Sequence, residues 1–160
     1  MRFVRRGWAG ILAFGLSLGL TFLSASPASA YVDPNFLRNW ETGRCLDSNA
    51  AGDVYTLPCQ QGNAYQTWRM VFQYVNQYDV VEIQNQATWL CLTQNFYGEL
   101  ETAPCGEDRS QLFYGVGSGW DNVQLLNVLY STQCLDSNYA GSAYLLTCNG
   151  GGYQHWKLGY

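Results

Sequence analysis

Six cysteines recur at one spacing along this chain of 160 residues. They are Cys45, Cys59, Cys91, Cys105, Cys134 and Cys148, so that 14 positions separate the two members of each successive pair. Thiols at fixed spacing oxidise to disulfides or hold a metal ion, and zinc sites are usually marked by C-x-x-C with further ligands. The chain has no C-x-x-C and a single histidine. Among the many pairings that six cysteines allow, three local bridges are the simplest, and an oxidising compartment would preserve them.

The remaining reactive side chains do not form a catalytic set. His155 lies in the variable position of a repeated motif and is expected to face solvent, and neither G-x-S-x-G nor H-E-x-x-H occurs. A glycosidase needs two carboxylates that flank the scissile bond. Asp47 and Asp136 lie in separate copies of a repeat, while Glu99 and Glu101 have the pattern of solvated loop charges. We therefore expect no enzymatic activity, no cofactor and no metal site.

The three cysteine segments are copies of one unit. They align without gaps as CLDSNAAGDVYTLPC, CLTQNFYGELETAPC and CLDSNYAGSAYLLTC. Each is followed by Q-x-W or a variant of it, at Gln66, Gln111 and Gln154, and preceded by an apolar run, FLRNW, VEIQN or VQLLN. The period is about 43 to 46 residues, which is typical of a repeat architecture. The copies span residues 31–70, 71–115 and 116–160 approximately.

Each copy predicts four short β-strands, twelve in all. Short runs of Val, Tyr, Thr and Leu are separated by Gly, Asn and Asp, and no helical periodicity is sustained after residue 31. The Asn and Gly between the cysteines suit a turn with positive φ. The glutamines should bond backbone near the core. The side chains expected in the core are Leu37, Ile83, Leu125, Val54, Leu100, Ala143, Trp68, Phe113 and Trp156.

Three four-stranded units close as a threefold β-trefoil, whereas three blades do not close a propeller. The unit C-L-D…G…C…Q-x-W resembles the ricin B-type lectin family over essentially all of residues 31–160. The resemblance implies an all-β, β-trefoil fold. It also implies that the Asp two positions after the first cysteine accepts hydrogen bonds from sugar hydroxyls, which selects Asp47 and Asp136 but not Thr93. The alternative for these aspartates is a turn-capping role.

Tyrosines accompany the two aspartates. The family usually carries an aromatic residue two positions before the second cysteine, where this chain has Leu57, Ala103 and Leu146. Tyrosines stand instead two positions earlier and directly before Gln, only in the copies with Asp. Two sugar sites are therefore expected, in repeats one and three. Their residues are Asp47, Asn49, Tyr55, Tyr65, Gln66, Asp136, Asn138, Tyr144, Tyr153 and Gln154.

The expected partners are glycans or polysaccharides bound at several points by a monomer. The alternative is a protein-binding trefoil, such as a protease inhibitor or the receptor-binding subunit of a toxin, because one fold hosts many functions. The segment FQYVNQYDVVEIQNQATW, rich in Gln, Asn and Tyr, would then supply an unrepeated binding surface. Equal use of the two Asp-bearing copies would distinguish sugar binding from this alternative.

The first thirty residues have the pattern of a secretory signal peptide. A basic head, MRFVRR, precedes an uncharged apolar run and an A-x-A sequence that ends at Ala30. A membrane anchor is the less favoured alternative, because the run is near the lower length limit for spanning. The whole chain has 8 basic and 12 acidic residues; three arginines belong to the leader, which leaves 5 basic residues, 12 acidic residues and a charge of −7. This acidity disfavours nucleic acid and anionic membranes as partners of a secreted domain at residues 31–160.

Overall fold

The structure, a computed structural model, describes residues 32–106 and 108–159. The predicted signal peptide, residues 1–30, lies outside this part. The strands of the described residues are β1 Val32–Asn39, β2 Cys45–Ser48, β3 Val54–Leu57, β4 Thr67–Asn76, β5 Tyr78–Asn85, β6 Cys91–Gln94, β7 Leu100–Ala103, β8 Leu112–Gly119, β9 Asn122–Asn127, β10 Gln133–Ser137, β11 Ala143–Thr147 and β12 His155–Leu158. Three 3₁₀ turns are Ala64–Gln66, Arg109–Gln111 and Gly152–Gln154. In the described ranges no helix has the length and apolar character needed to span a membrane.

Six strands close into a barrel. The antiparallel pairs are β1–β4, β4–β5, β5–β8, β8–β9, β9–β12 and β12–β1. The last pair places Leu158 beside Leu37, so the two ends of the domain meet in one ladder. Closure leaves the barrel without an unpaired sheet edge.

The other six strands form three hairpins outside the barrel: β2–β3, β6–β7 and β10–β11. Each is bridged by its own disulfide, Cys45–Cys59, Cys91–Cys105 or Cys134–Cys148, which confirms the predicted pairing. Two barrel strands and one hairpin recur three times, so the fold is the predicted β-trefoil. Strands β4 and β8 run beyond residues 70 and 115, and the turns that join the repeats lie at residue 77 and residues 120–121.

One hydrophobic core fills the barrel and contains the residues that the repeat pattern predicts. Trp68, Phe113 and Trp156 are completely buried, as are Leu37, Ile83 and Leu125. Leu100 is buried in the same cluster, and the half-buried Val54 and Ala143 pack against it. The two indole N–H groups also find buried partners, because Trp68 Nε1 donates to Leu46 O and Trp156 Nε1 to Leu135 O, each at 2.9 Å.

The hairpin loops show where the expected positive φ angles fall. Gly52 and Gly141 have φ of +96°, and Gly98 has +86°. The matching asparagines do not share this backbone, since the described residues other than glycine with positive φ are Gln77 and Trp89. The expected turn with positive φ is therefore present, and the glycine supplies that backbone in each copy. Glycine is also needed for close approach, because a Cβ on Gly52 would lie 2.9 Å from Thr102 O, which belongs to the next hairpin.

Candidate functional site

The aspartates singled out in the sequence face the singled-out tyrosines across the hairpins of repeats one and three. Asp47 is the direct partner of Tyr55 in the β2–β3 register, and Asp136 is the direct partner of Tyr144 in β10–β11. Directly opposed side chains lie on one face of a hairpin and contact each other. The antiparallel register thus assembles the same Asp and Tyr pair twice.

A buried glutamine fixes each carboxylate. Gln66 Nε2 donates to Asp47 Oδ2 at 2.9 Å, and Gln154 Nε2 donates to Asp136 Oδ2 at 2.9 Å. The same amides bond backbone: Gln66 reaches Pro58 O and Gln60 N, and Gln154 reaches Thr147 O and Asn149 N. Both glutamines are completely buried. They lie behind the carboxylates and orient them, and the predicted contact of these two side chains with a sugar stays a prediction.

Burial raises the pKa of three groups in these sites, Asp47, Tyr55 and Tyr144. Asp47 and Asp136 are each 2% exposed. Burial raises the pKa of Asp47, and the hydrogen bonds from Gln66 and from the backbone of Ser48 offset part of this rise. The pKa of Tyr55 is raised by burial and by the neighbouring charge of Asp47. The pKa of Tyr144 is raised for the same two reasons, burial first and then Asp136. Both phenols therefore stay protonated donors at neutral pH.

The second tyrosine of each site lies on the 3₁₀ turn just before the glutamine. Tyr65 and Tyr153 are each 37% exposed, so their rings are open to solvent beside the buried aspartates. An asparagine at the end of a barrel strand holds each turn: Asn85 Nδ2 donates to Tyr65 O at 2.8 Å, and Asn39 Nδ2 donates to Tyr153 O at 2.7 Å. Each tyrosine is thus positioned by a different repeat from its own.

These asparagines form a threefold set that the sequence interpretation missed. Asn127 completes it by donating to Ser110 O at 2.8 Å. All three are buried, and their Oδ1 atoms accept backbone N–H groups of the following turn. The signal was present, because FLRNW, VEIQN and VQLLN all contain Asn at the end of the apolar run. The three asparagines are not evenly spaced, because the loops of the repeats differ in length. Asn85 lies 46 residues after Asn39, whereas Asn127 lies 42 residues after Asn85, so a fixed period does not align them.

Asn49 and Asn138 hold the loops of their hairpins. Asn49 Oδ1 accepts from Ala51 N and Asp53 N, and Asn49 Nδ2 donates to Asp53 Oδ2 at 2.8 Å. Asn138 Oδ1 accepts from Ser142 N at 3.1 Å. The turn-capping role considered for the aspartates therefore belongs to these asparagines.

Repeat two lacks the aspartate and both tyrosines of this arrangement. Thr93 replaces the aspartate and shares a 2.9 Å hydrogen bond with Ser110 Oγ. Ser110 stands directly before Gln111, at the position where the other two repeats have tyrosine. Its cross-strand partner is Glu101. Gln111 keeps its two backbone partners, Pro104 O and Gly106 N, but has no carboxylate to hold. Repeat two thus keeps the buried glutamine and its backbone bonds but has neither the carboxylate nor the tyrosines.

Two further expectations concern other surfaces. His155 is half-buried, and its Nδ1 lies 2.6 Å from Asn122 Oδ1 in a solvent-exposed hydrogen bond, so this side chain is paired at the surface. The Gln-, Asn- and Tyr-rich segment forms most of β4 and β5, where Phe72, Tyr74 and Tyr78 are exposed. Within residues 32–106 and 108–159, no group of three His, Cys, Asp or Glu side chains could hold a metal ion.

Comparison with known proteins bears on the fold. No protein-family profile matches the chain. A solved structure described as the designed threefold-symmetric protein ThreeFoil is similar to it, with a TM-score of 0.68 and 18% sequence identity over 79% of this chain and 98% of that one. At this identity the similarity concerns the fold and not the function. The chain is thus an all-β protein of threefold trefoil architecture.

Proposed function

We propose that the protein is a secreted carbohydrate-binding protein of the ricin B type, with one sugar site in repeat one and one in repeat three. The observation that carries the proposal is the twofold occurrence of one assembly. Asp47 with Gln66, and Asp136 with Gln154, have the same 2.9 Å bond, the same opposed tyrosine and the same exposed tyrosine on the following turn. A purely structural assembly would be retained in repeat two as well.

The chemistry of this assembly suits a sugar ring. A fixed carboxylate accepts hydrogen bonds from neighbouring hydroxyls, and a charged acceptor makes the stronger bonds. The rings of Tyr55 and Tyr65 offer apolar faces to the C–H side of the sugar, with hydroxyls at their edges. Since Gln66 already holds one carboxylate oxygen, the ligand meets an acceptor whose orientation is set in advance.

Binding without catalysis is the corresponding expectation. Glycoside hydrolysis uses two carboxylates about 5 to 9.5 Å apart, whereas the repeated part of each site contains a single aspartate. The acidic residues nearby differ between the sites. Asp53 in repeat one accepts the Asn49 amide, and Glu41 lies near Tyr153 in repeat three. A shared hydrolytic pair is therefore not built into the repeat.

Export and multivalency complete the proposal. Three disulfides suit an oxidising, extracellular compartment, which agrees with the signal peptide expected from the sequence. A site with one carboxylate and two tyrosines should hold a monosaccharide with a Kd on the order of 1 mM. Two such sites on one rigid monomer can engage a polysaccharide together, which increases retention roughly a hundredfold or more.

The proposal is tested by retention on insoluble polysaccharides and by a glycan array. The variants are Asp47→Ala, Asp136→Ala, the double variant and Thr93→Ala, which changes the equivalent position of repeat two. We expect a steep loss with either single Asp variant, no retention with the double variant, and wild-type retention with Thr93→Ala. Thermal unfolding of each variant shows whether it is folded.

Undiminished retention of the folded double variant would overturn the two-site proposal. A protein-binding function of the exposed β4–β5 surface would then be favoured, because Phe72, Tyr74 and Tyr78 have no counterparts in a repeated site. Loss of binding in Thr93→Ala equal to that in the Asp variants would contradict the assignment of repeat two as inactive.

A further inference from the structure

The sites of repeats one and three differ in what surrounds them. The hairpin loop carries Tyr139 in repeat three and Ala50 in repeat one. The neighbouring repeat contributes Glu41 beside site three and Ala87 beside site one. Glu41 and Ala87 are equivalent, because their backbone N–H groups donate to Oδ1 of Asn39 and Asn85, at 3.1 and 3.0 Å. Repeat one thus has two alanines where repeat three has an aromatic ring and a carboxylate.

Tyr139 and Glu41 are joined to the exposed tyrosine of site three. The rings of Tyr139 and Tyr153 pack edge to face with their centroids 5.9 Å apart, and the Tyr139 hydroxyl donates to Glu41 O at 3.1 Å. Tyr139 is nevertheless 62% exposed. The pKa of Tyr153 is raised by partial burial and by the nearby Glu41, Tyr139 and Asp136. Tyr139, Tyr153 and Glu41 therefore share one surface beside the buried Asp136.

Because Gly152 has no side chain, the Glu41 carboxylate can lie directly beside it. A Cβ at residue 152 would lie only 2.5 Å from Glu41 Oε2, so a larger residue would push the carboxylate away from the turn that carries Tyr153. Repeat one has Ala64 at the equivalent position, two residues before its glutamine. The glycine, the acid and the aromatic ring therefore occur together beside the site of repeat three and are all absent beside that of repeat one.

A cleft of about 260 Å³ continues this surface beyond Glu41. It is lined by Trp40, Glu41, Asn122, Gly150, Gly152 and His155. Trp40 is 54% exposed, and its indole N–H is fixed by a 3.0 Å bond to Asp121 O. Gln86 occupies the equivalent position beside site one. The border of this shallow cleft thus presents an exposed indole and a carboxylate. Trp40 and Glu41 offer the same chemistry here as the tyrosines and Asp136 offer in the site of repeat three.

We propose that repeat three has a second sugar subsite. In this subsite, Tyr139, Glu41 and Trp40 bind the sugar unit next to the one that Asp136 holds. Repeat three then binds oligosaccharides of two or more units, whereas repeat one binds a single sugar unit. The inference rests on the proposed function and adds a length preference to one of its two sites. Glu41 accepts hydroxyl hydrogen bonds, and the two aromatic rings pack against the second sugar.

The test measures how affinity depends on ligand length at each site separately. Asp47→Ala leaves repeat three active, and Asp136→Ala leaves repeat one active. Each variant is titrated by NMR with the mono-, di- and trisaccharides of galactose, xylose and mannose. For the sugar that binds, we expect disaccharide affinity to exceed monosaccharide affinity at least about tenfold in Asp47→Ala and less than about twofold in Asp136→Ala.

Further variants identify the residues responsible. In the Asp47→Ala background, Tyr139→Ala and Glu41→Ala install the side chains of repeat one, and each should reduce the length ratio to near one. The matched controls are Phe96→Ala in repeat two and Leu129→Ala in the strand connection beside it, which change the positions equivalent to Tyr139 and Glu41 and should leave the ratio intact. The ratio is the readout, because Tyr139 also packs on Tyr153 and its loss can alter both affinities.

The outcomes separate the two proposals. Equal length ratios in the two backgrounds would overturn the second subsite and leave the two-site proposal standing. A ratio that survives both Tyr139→Ala and Glu41→Ala would also overturn it. No binding of any series in either background would overturn the carbohydrate-binding proposal and the subsite with it.

Discussion

Asp47 shows at the scale of one residue how binding chemistry opposes stability. A carboxylate loses its hydration on burial, and one side-chain bond from Gln66 and one backbone bond from Ser48 offset only part of this loss, so its pKa is raised. Selection for stability alone would not place an acidic residue at this buried position. The cost is understandable if the carboxylate is kept for a ligand that supplies the missing hydrogen bonds.

We expect Asp47→Asn to gain stability relative to the wild type as the pH rises. The folded-state pKa of Asp47 lies above its unfolded value, so its contribution to folding is present at acidic pH and is lost as the pH rises through the folded pKa. Asparagine does not ionise. Calorimetry at about pH 3 and pH 7 should therefore show a difference in Tm, variant minus wild type, that increases with pH.

Thr93→Ala is the control for this measurement, since it changes the equivalent neutral residue and its difference in Tm should not depend on pH. A difference for Asp47→Asn that stays constant or falls with rising pH would contradict the proposed cost of the buried carboxylate.

The residues that could be predicted from the sequence are those whose partners are close along the chain. Asp47 and Tyr55 lie in one disulfide-bridged hairpin, so the regular spacing was enough to pair them. The clamp between Gln66 and Asp47 was only half predicted, because the glutamine was expected to bond backbone and also does so. Asn39 was missed, since its partner Tyr153 is 114 residues away and the connection exists only after the barrel closes.

At the scale of elements, the asparagines make each site depend on the strand of another repeat. Asn85 at the end of β5 holds the turn of Tyr65, and Asn127 at the end of β9 holds the equivalent turn of repeat two. The bonds are alike, yet only the first turn belongs to a proposed sugar site. The chain thus contains its own control for separating stability from binding.

We expect Asn85→Ala and Asn127→Ala to reduce the free energy of unfolding by similar amounts, roughly 2 to 4 kcal/mol, because each leaves buried backbone groups without partners. Only Asn85→Ala should weaken glycan retention, since it releases the turn that positions Tyr65. Urea unfolding and polysaccharide retention measure the two effects. Equal loss of retention in the two variants would show that the asparagines affect binding only through global stability.

At the scale of the whole molecule, the pairing of β12 with β1 closes the barrel in the same way as the pairs between its other strands. Leu158 lies beside Leu37, and the ladder between them is of the same antiparallel kind as those between the other barrel strands. The trefoil architecture could be predicted because the period of the cysteines and of Q-x-W is regular. The surface that distinguishes repeat three could not, because Glu41 and Tyr139 are 98 residues apart.

A circular permutant should therefore fold and retain both sites. Its new ends lie at Gln77, in the exposed turn between β4 and β5, and a Gly-Ser linker of about six residues joins residues 159 and 32. Circular dichroism and polysaccharide retention are the measurements. A second permutant opened at Ala50, inside the loop that Asn49 holds, should fold but lose the repeat-one site. Failure of the first permutant to fold would contradict the equivalence of the six barrel ladders.

The contact between Tyr139 and Glu41 also bears on why three copies share one polypeptide. Three separate chains, each with one repeat, could close the same barrel as a homotrimer, but every loop would then be identical and any substitution would appear three times around the axis. Covalent linkage removes this constraint. One copy can then lose its carboxylate, as at Thr93, while another acquires an aromatic ring and a neighbouring acid. Divergence between the proposed binding sites within a single symmetric scaffold is the advantage that fusion of the copies provides.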